Sequence, residues 1–428
     1  MSQKEEKPQL AGVRIKTRKR NIVVPHDPQS FADALIDIIE DVREEGERDN
    51  VAKVLETANK TLDSAELDFS RYGDVLFEVA FAGARLTTGG NVATEGKKLD
   101  FNILAGPADR EAILPYIKWF QTMIRRRPFL VKNLENVLMK FVMGLEFYDE
   151  EGQRKIAIAL ARCFSMKVGI LPESILPKML VDRLVLRGTV LQFVTEFFKE
   201  FLATDSVEHL MEVLRKARLD NNLLEFFPQQ KRSWQEFESH FEAAGLTDLV
   251  AYNRKKLHEA HCQELAVTVQ GLVGDDPPAT AAAVVSEVKA RKAEWGLEDL
   301  EVANNVYLGL VRSVLANIGS KNTQQVQFSV LKALKTYSKA LAAFCTSGRL
   351  EAALLNTIQV NCYEDSRLLK LFPDMVKILY DSDVLGEDTI RFWYTKGSSP
   401  KGRNVFLKNM EPFMNWLEEA EEDESDEE

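Results

Sequence analysis

Apolar residues recur along this chain at intervals of three and four, the period of an α-helix with one buried face. The fullest stripe is Val190, Leu191, Phe193, Val194, Phe197, Phe198, Phe201 and Leu202. Its width and aromatic content predict a helix covered by neighbours on two sides. A second stripe, Val330, Leu331, Leu334, Tyr337, Leu341 and Phe344, leaves Lys332, Lys335 and Lys339 on the opposite face. Alternating β-branched segments bounded by tight turns are almost absent, so the pattern predicts an all-α chain.

Breaks in the pattern come at short intervals. Pro115, Pro128, Pro172, Pro177 and Pro228 interrupt it, and Thr204 and Asp205 offer an N-cap ahead of Val207 to Leu214. Helices of roughly 12 to 20 residues joined by short turns predict stacked antiparallel pairs, a HEAT/ARM-like solenoid. No strict repeat at a fixed period accompanies them.

Residues 1–28 are polar and basic, and Pro25 and Pro28 delay the first helix, so a disordered start is expected there. A first helical-repeat domain is expected over 29–245, ending at the Gly245 helix stop, and a second over 246–417. Within the second, the charged stretch Arg254 to Glu264 reads as a helix leading to the break at Gly271, Gly274, Asp275, Asp276, Pro277 and Pro278. Residues 418–428 read as a disordered acidic tail.

Composition narrows the function classes. With 428 residues, 45% apolar and 28% charged, the chain has the make-up of a globular protein of two or three domains. No apolar run approaches the roughly 18 residues that span a bilayer, and the first residues lack a signal core. A cytosolic or nuclear address, with no membrane contact, is the expectation. Cys163, Cys262, Cys345 and Cys362 are scattered, with no C-x-x-C pair.

The net charge of −11 is largely a property of the C-terminus. Without Glu418, Glu419, Glu421, Glu422, Asp423, Glu424, Asp426, Glu427 and Glu428 it would be −2. Arg14, Lys16, Arg18, Lys19 and Arg20 form a short basic cluster at the other end. That balance disfavours a large nucleic-acid-binding body and leaves a weak RNA contact through the basic cluster as an alternative.

Catalytic and metal signatures are weak. His258, His261 and Cys262 would share a helix face, but no fourth ligand stands nearby and the H-E-x-x-H spacing is missed by one residue. A polar helix face is the expected reading, with no metal and no cofactor. Neither G-x-S-x-G nor a P-loop is present, and Gly89 and Gly90 lie in a turn rather than after a strand. No enzyme is indicated. A basic leucine zipper is ruled out because Pro25 and Pro28 break any helix running on from the basic cluster, and no leucine heptad follows. Arg125, Arg126 and Arg127 read as cations at a helix C-terminus.

The last fifty residues differ from the rest. Asp381, Asp383, Glu387 and Asp388 lie beside Phe392, Trp393 and Tyr394, and Phe406, Met410, Phe413, Trp416 and Leu417 form one stripe running into the acidic tail. Carboxylates attract ammonium groups, and aromatic faces accept lysine stems and cation–π contacts. Lysine-rich ligands suit such a surface. Partial burial of Phe392, Phe413 and Trp416 is expected as well.

Several of these stretches resemble one family. Leu379 to Leu385 with Arg391 to Tyr394, and Asn404 to Leu407 with Phe413 to Glu419, look like the two aromatic and acidic boxes of a W2 domain. Upstream, Lys16 to Arg20, Arg71 to Phe77 and Asn222 to Pro228 complete a set of five in order. The chain thus resembles the basic leucine zipper and W2 domain-containing proteins, the mimic proteins of translation initiation factor five. The resemblance implies an N-terminal HEAT-like domain, a C-terminal W2 domain and a cytoplasmic, non-enzymatic regulator of translation initiation. The implied partners are lysine-rich segments of the beta subunit of initiation factor two and the c subunit of factor three, within the small-subunit preinitiation complex. Binding them would compete with factor five and alter start-codon selection.

Carried over position by position, the resemblance implies partner contacts at Asp381, Asp383, Glu387, Asp388, Trp393 and Tyr394. It adds Trp416, Glu418, Glu419, Glu421, Glu422, Asp423 and Glu424. The acids would steer lysine-rich segments; the aromatics would hold the box shape or touch lysine stems. Ser425, followed by Asp426, Glu427 and Glu428, stands in a context suited to acidophilic kinases. A monomer is expected. The other readings are an RNA- or ribosome-binding helical scaffold acting through the basic N-terminus, and a scaffold using the N-terminal solenoid alone.

Overall fold

The computed structural model describes residues 26–46, 50–317 and 323–425, the side chains of Asn317 and of residues 420–425 excepted. The chain divides into two compact units, up to Val250 and from Ala251. The expected boundary after Gly245 lies five residues earlier, and the helix that begins at Thr247 continues to Gly274, carrying Gly271 inside it.

The first unit holds α1 (Pro28–Glu45), α2 (Val51–Ser64), α3 (Phe69–Ala82), α4 (Arg110–Arg126), α5 (Leu130–Met143) and α6 (Glu150–Ser165). It continues with α7 (Pro172–Ile175), α8 (Asp182–Leu186), α9 (Thr189–Leu202), α10 (Val207–Lys216) and α11 (Trp234–Ala243). The second unit has α12 (Thr247–Gly274), α13 (Ala281–Trp295), α14 (Asp299–Asn317) and α15 (Thr323–Ala342). It ends with α16 (Gly348–Glu364), α17 (Phe372–Tyr380), α18 (Glu387–Phe392) and α19 (Arg403–Ser425). Among the described residues the only β pairing is an isolated bridge, Leu86 with Val92, across the turn that holds Gly89 and Gly90.

Helices pack on their next-but-one neighbours, which is what makes each unit a solenoid. In the first, α1, α3, α5 and α7 form one layer, and α2, α4, α6 and α9 the other. In the second, α13, α15, α17 and α19 face α14, α16 and α18. Each helix needs two apolar neighbours within its layer and one across it, which explains the wide stripes. Along α9, Val190, Phe193, Val194, Phe197, Phe198 and Phe201 are all buried. Lys332, Lys335 and Lys339 of α15 lie in solvent opposite the buried Val330, Leu334, Tyr337 and Leu341.

Local chemistry sets the helix starts. Asp27 accepts a hydrogen bond from the Ser30 N–H and Pro28 is the first residue of α1, so that helix begins on the last residue of the expected basic leader. Asp109 and Asp149 cap α4 and α6 by accepting from Ala112 N and Gly152 N, both at 2.8 Å. Two expectations need correction. The N-cap of α10 is Ser206, whose hydroxyl accepts from His209 N, while Asp205 instead accepts from Ser206 N and meets His209 Nδ1 at 2.5 Å. Pro115 does not end a helix either. It lies inside α4, in the second turn, where a single intrahelical hydrogen bond is lost and the buried stripe from Ile113 to Ile124 carries on. Arg126 and Arg127 at the end of α4 both pair with Asp63, and Arg127 also sits 4.5 Å from the Phe69 ring centroid. This basic run is therefore a tertiary clamp.

Candidate functional site

The two boxes meet where α17 lies beside α19. Phe372 at the start of α17 packs on Phe406 at 4.9 Å, and Tyr380 at its end meets both Phe413 and Trp416 at 6.1 Å. Because the contacts advance together along both helices, α17 and α19 run parallel. Their C-terminal ends therefore point the same way. Each end carries a partial negative charge, and each leads into acidic sequence.

Buried Phe372, Met375, Val376 and Leu379 hold α17 in the core. The helix stops when Asp381 N donates to Lys377 O and Asp383 enters the left-handed region with φ 56°. A left-handed residue is costly for most side chains, but aspartate tolerates it. Val384 and Leu385 then turn inward, 1% and 2% exposed, which leaves Asp381 and Asp383 in solvent. From α16, Glu351 accepts a 2.7 Å hydrogen bond from Gly386 N and pins the far side of this turn. Glu387 and Asp388 occupy the first turn of α18, where carboxylates complement the helix dipole. Asp388 is exposed; Glu387 is engaged by the Arg391 guanidinium at 2.7 and 2.6 Å.

Trp416 is the accessible aromatic of the second box, 42% exposed and 5.5 Å from Phe413. The Lys377 ammonium lies 5.4 Å from its ring centroid. A cation thus already rests on this ring, in the last turn of α17. Glu418 and Glu419, two and three residues beyond Trp416, are both exposed. The edge combines a negative field, surface carboxylates and an aromatic face that takes an ammonium group.

Trp393 departs from the expectation of direct contact. It is fully buried, 5.1 Å from Phe372, and its indole N–H donates to Gln359 Oε1 at 3.1 Å. It cannot touch a partner, which leaves it the role of holding the box shape. Tyr394 is half-buried against the same core, whereas Phe392 is 53% exposed.

Sequence reasoning missed the strut behind the site. Gln359 of α16 is completely buried and uses its whole amide. Its Nε2 donates to Ser399 O at 2.9 Å and Lys401 O at 2.8 Å, and its Oε1 accepts from Trp393 Nε1 and Ser399 N. Asn356, one turn earlier, donates to Gly397 O and accepts from Ser399 N. Together they fasten the turn that joins the two boxes. A lone glutamine and asparagine in an otherwise helical stretch give no pattern to read. Lys377 and Tyr380 were also missed, since only the parallel packing of α17 and α19 brings them to Trp416.

The helix of the second box extends past residue 418. α19 runs on through Ser425, because the buried stripe Phe406, Met410, Phe413 and Leu417 fixes the helix and glutamate and alanine propagate it. Glu421, Glu422, Asp423, Glu424 and Ser425 thus lie on helical backbone. The basic cluster Arg14 to Arg20 falls outside the described residues. Among those residues, no helix is long and apolar enough to cross a membrane.

Comparisons with known proteins find matches to both parts of the chain. Residues 15–263 match the family described as the 5MP1/2 HEAT domain, and residues 350–427 match the W2 family of eIF4-gamma, eIF5 and eIF2-epsilon. The W2 match thus begins in α16 and takes in the strut, both boxes and the acidic end. eIF5-mimic protein 2 of Gallus gallus is 32% identical over 424 residues, which is 99% of this chain and 98% of that protein. Protein krasavietz of Drosophila melanogaster is 30% identical over 427 residues, 99% and 97% of the two chains. eIF5-mimic protein 1 of Mus musculus is 32% identical over 425 residues, 98% of each.

Proposed function

The chain belongs to the eIF5-mimic protein family, and from that premise we propose that it regulates translation initiation by offering the binding edge of a W2 domain without a catalytic activity. Its ligands are lysine-rich segments, those of the factor-two beta subunit and the factor-three c subunit, within the small-subunit preinitiation complex. By holding them in the cytoplasm it competes with initiation factor five and changes the choice of start codon. The observation that carries this reading is the parallel arrangement of α17 and α19. It sets Tyr380 and Lys377, at the end of α17, against the exposed Trp416, with the exposed Asp381 and Asp383 following in one chain segment and Glu418 and Glu419 in the other.

Trp416 supplies the stem contact in this account and the carboxylates supply steering. Trp416→Ala is expected to weaken binding of a lysine-rich factor-two beta peptide by about tenfold, the worth of one desolvated cation–π contact. Isothermal titration of the full chain reads it. An unchanged affinity for Trp416→Ala removes the ring from the site. Phosphorylation of Ser425 adds about 1.5 to 2 negative charges at pH 7 to the same end of α19. It is expected to tighten the same peptide several-fold, and a phosphorylated chain that titrates like the unmodified one would refute that.

A further inference from the structure

A second cluster lies at the other end of the second unit. His258 and Cys262 stand four residues apart on α12, hence on one face. Glu301, in the first turn of α14, comes up against them, and the nitrogen, sulfur and carboxylate oxygen all lie within 4.8 Å of one another. His261, which the sequence would group with this face, instead stacks on Trp295 at 4.8 Å and 10°.

Two separate features hold the three side chains together. Gly309, two turns along α14, lets the helices approach closely: a Cβ there would stand 2.6 Å from the Ala266 carbonyl oxygen and 2.7 Å from Val269 Cβ. Glu301 is oriented by the Glu298 N–H, which donates to its Oε2 at 3.1 Å. Its Oε1 then faces His258 Nε2 at 2.5 Å.

We propose that His258, Cys262 and Glu301 form a site for one zinc-class divalent cation, with three protein donors and a fourth position held by solvent, tying α12 to α14. A nitrogen, a sulfur and one oxygen suit zinc and its neighbours, whereas magnesium and calcium call for oxygen sets. Metal–ligand bonds of about 2.0 to 2.3 Å put tetrahedral donors about 3.3 to 3.8 Å apart. The cluster reaches that spacing by inward shifts of about 1 Å and a slight opening of the His258–Glu301 contact. The side chains have room to make them, being 37% exposed at His258 and 26% at Glu301. Burial, and then the Glu301 and Glu259 carboxylates, push the Cys262 thiol pKa up, so the cation displaces a thiol proton to the solvent as it binds. Cys163, Cys345 and Cys362 are buried, which leaves Cys262 as the accessible thiol.

The test is a titration of the metal-free full chain with cobalt, followed by zinc. One equivalent of cobalt is expected to give a thiolate-to-cobalt charge-transfer band in the near ultraviolet, which zinc then abolishes. Cys262→Ser is expected to lose the band, and Glu301→Gln to weaken cobalt binding at least as much as the ~10–100-fold cost of losing an outer-shell partner. His209→Gln is expected to leave both unchanged. Far-UV circular dichroism confirms that each variant is folded, and zinc is expected to raise the melting temperature of the parent but not of Cys262→Ser. Absence of the band in the parent, its persistence in Cys262→Ser, or parent-like affinity in Glu301→Gln would each overturn the assignment.

Discussion

Trp393→Ala is expected to lower the unfolding free energy by about 3 to 5 kcal/mol, the cost of emptying a fully packed tryptophan site. The residue is 0% exposed, and its loss also removes one of the two donors to Gln359 Oε1. Gln359→Leu is the companion variant. It strands the Trp393 N–H and the carbonyls of Ser399 and Lys401, while Ser399 N keeps its bond to Asn356 Oδ1, for a cost of about 3 kcal/mol. Trp416→Ala, at a surface position, should cost no more than about 1 kcal/mol. Urea unfolding followed by circular dichroism separates them. If both buried variants fall within about 1 kcal/mol of the parent, the strut does not organise the two boxes.

The second large effect is on binding. Changing Glu418, Glu419, Glu421, Glu422, Asp423 and Glu424 to glutamine keeps the helix propensity and removes the charge. Each exposed pair with a ligand lysine is worth up to about 1 kcal/mol, so the six together are expected to give roughly 3 kcal/mol, about 100-fold in affinity at low salt. At 1 M salt the screening length shrinks to about 3 Å, and parent and variant should converge. A loss of affinity independent of salt would point instead to a collapsed α19. Parent-like binding at low salt would exclude the acidic end as the contact.

Much of this was legible in the sequence because apolar period and helical layers carry the same information. The α9 and α15 stripes specify which faces are buried, so the all-α solenoid followed from counting. Exposed carboxylates such as Asp381 and Asp388 were legible for a different reason: no apolar neighbour explains them. Pairings between distant helices were not. Tyr380 and Trp416 are thirty-six positions apart, and only packing brings their rings to 6.1 Å. Buried amides such as Gln359 look like surface residues by type, since nothing in a single chain marks which polar side chain finds all its partners inside. The extent of α19 was not legible, because acidic composition carries no apolar period by which to follow the helix from Leu417 to Ser425. Trp393 and Trp416 show the same difficulty. They lie in matching aromatic boxes, yet one is core and the other surface.

Competition measures the central claim most directly. A fluorescent lysine-rich segment of the factor-two beta subunit is first bound to the W2 domain of initiation factor five, and the full chain is then added in increasing amounts. The account predicts complete displacement, shifted to higher concentration in the six-glutamine variant. Formation of a ternary complex, or no displacement at saturating chain, would contradict it.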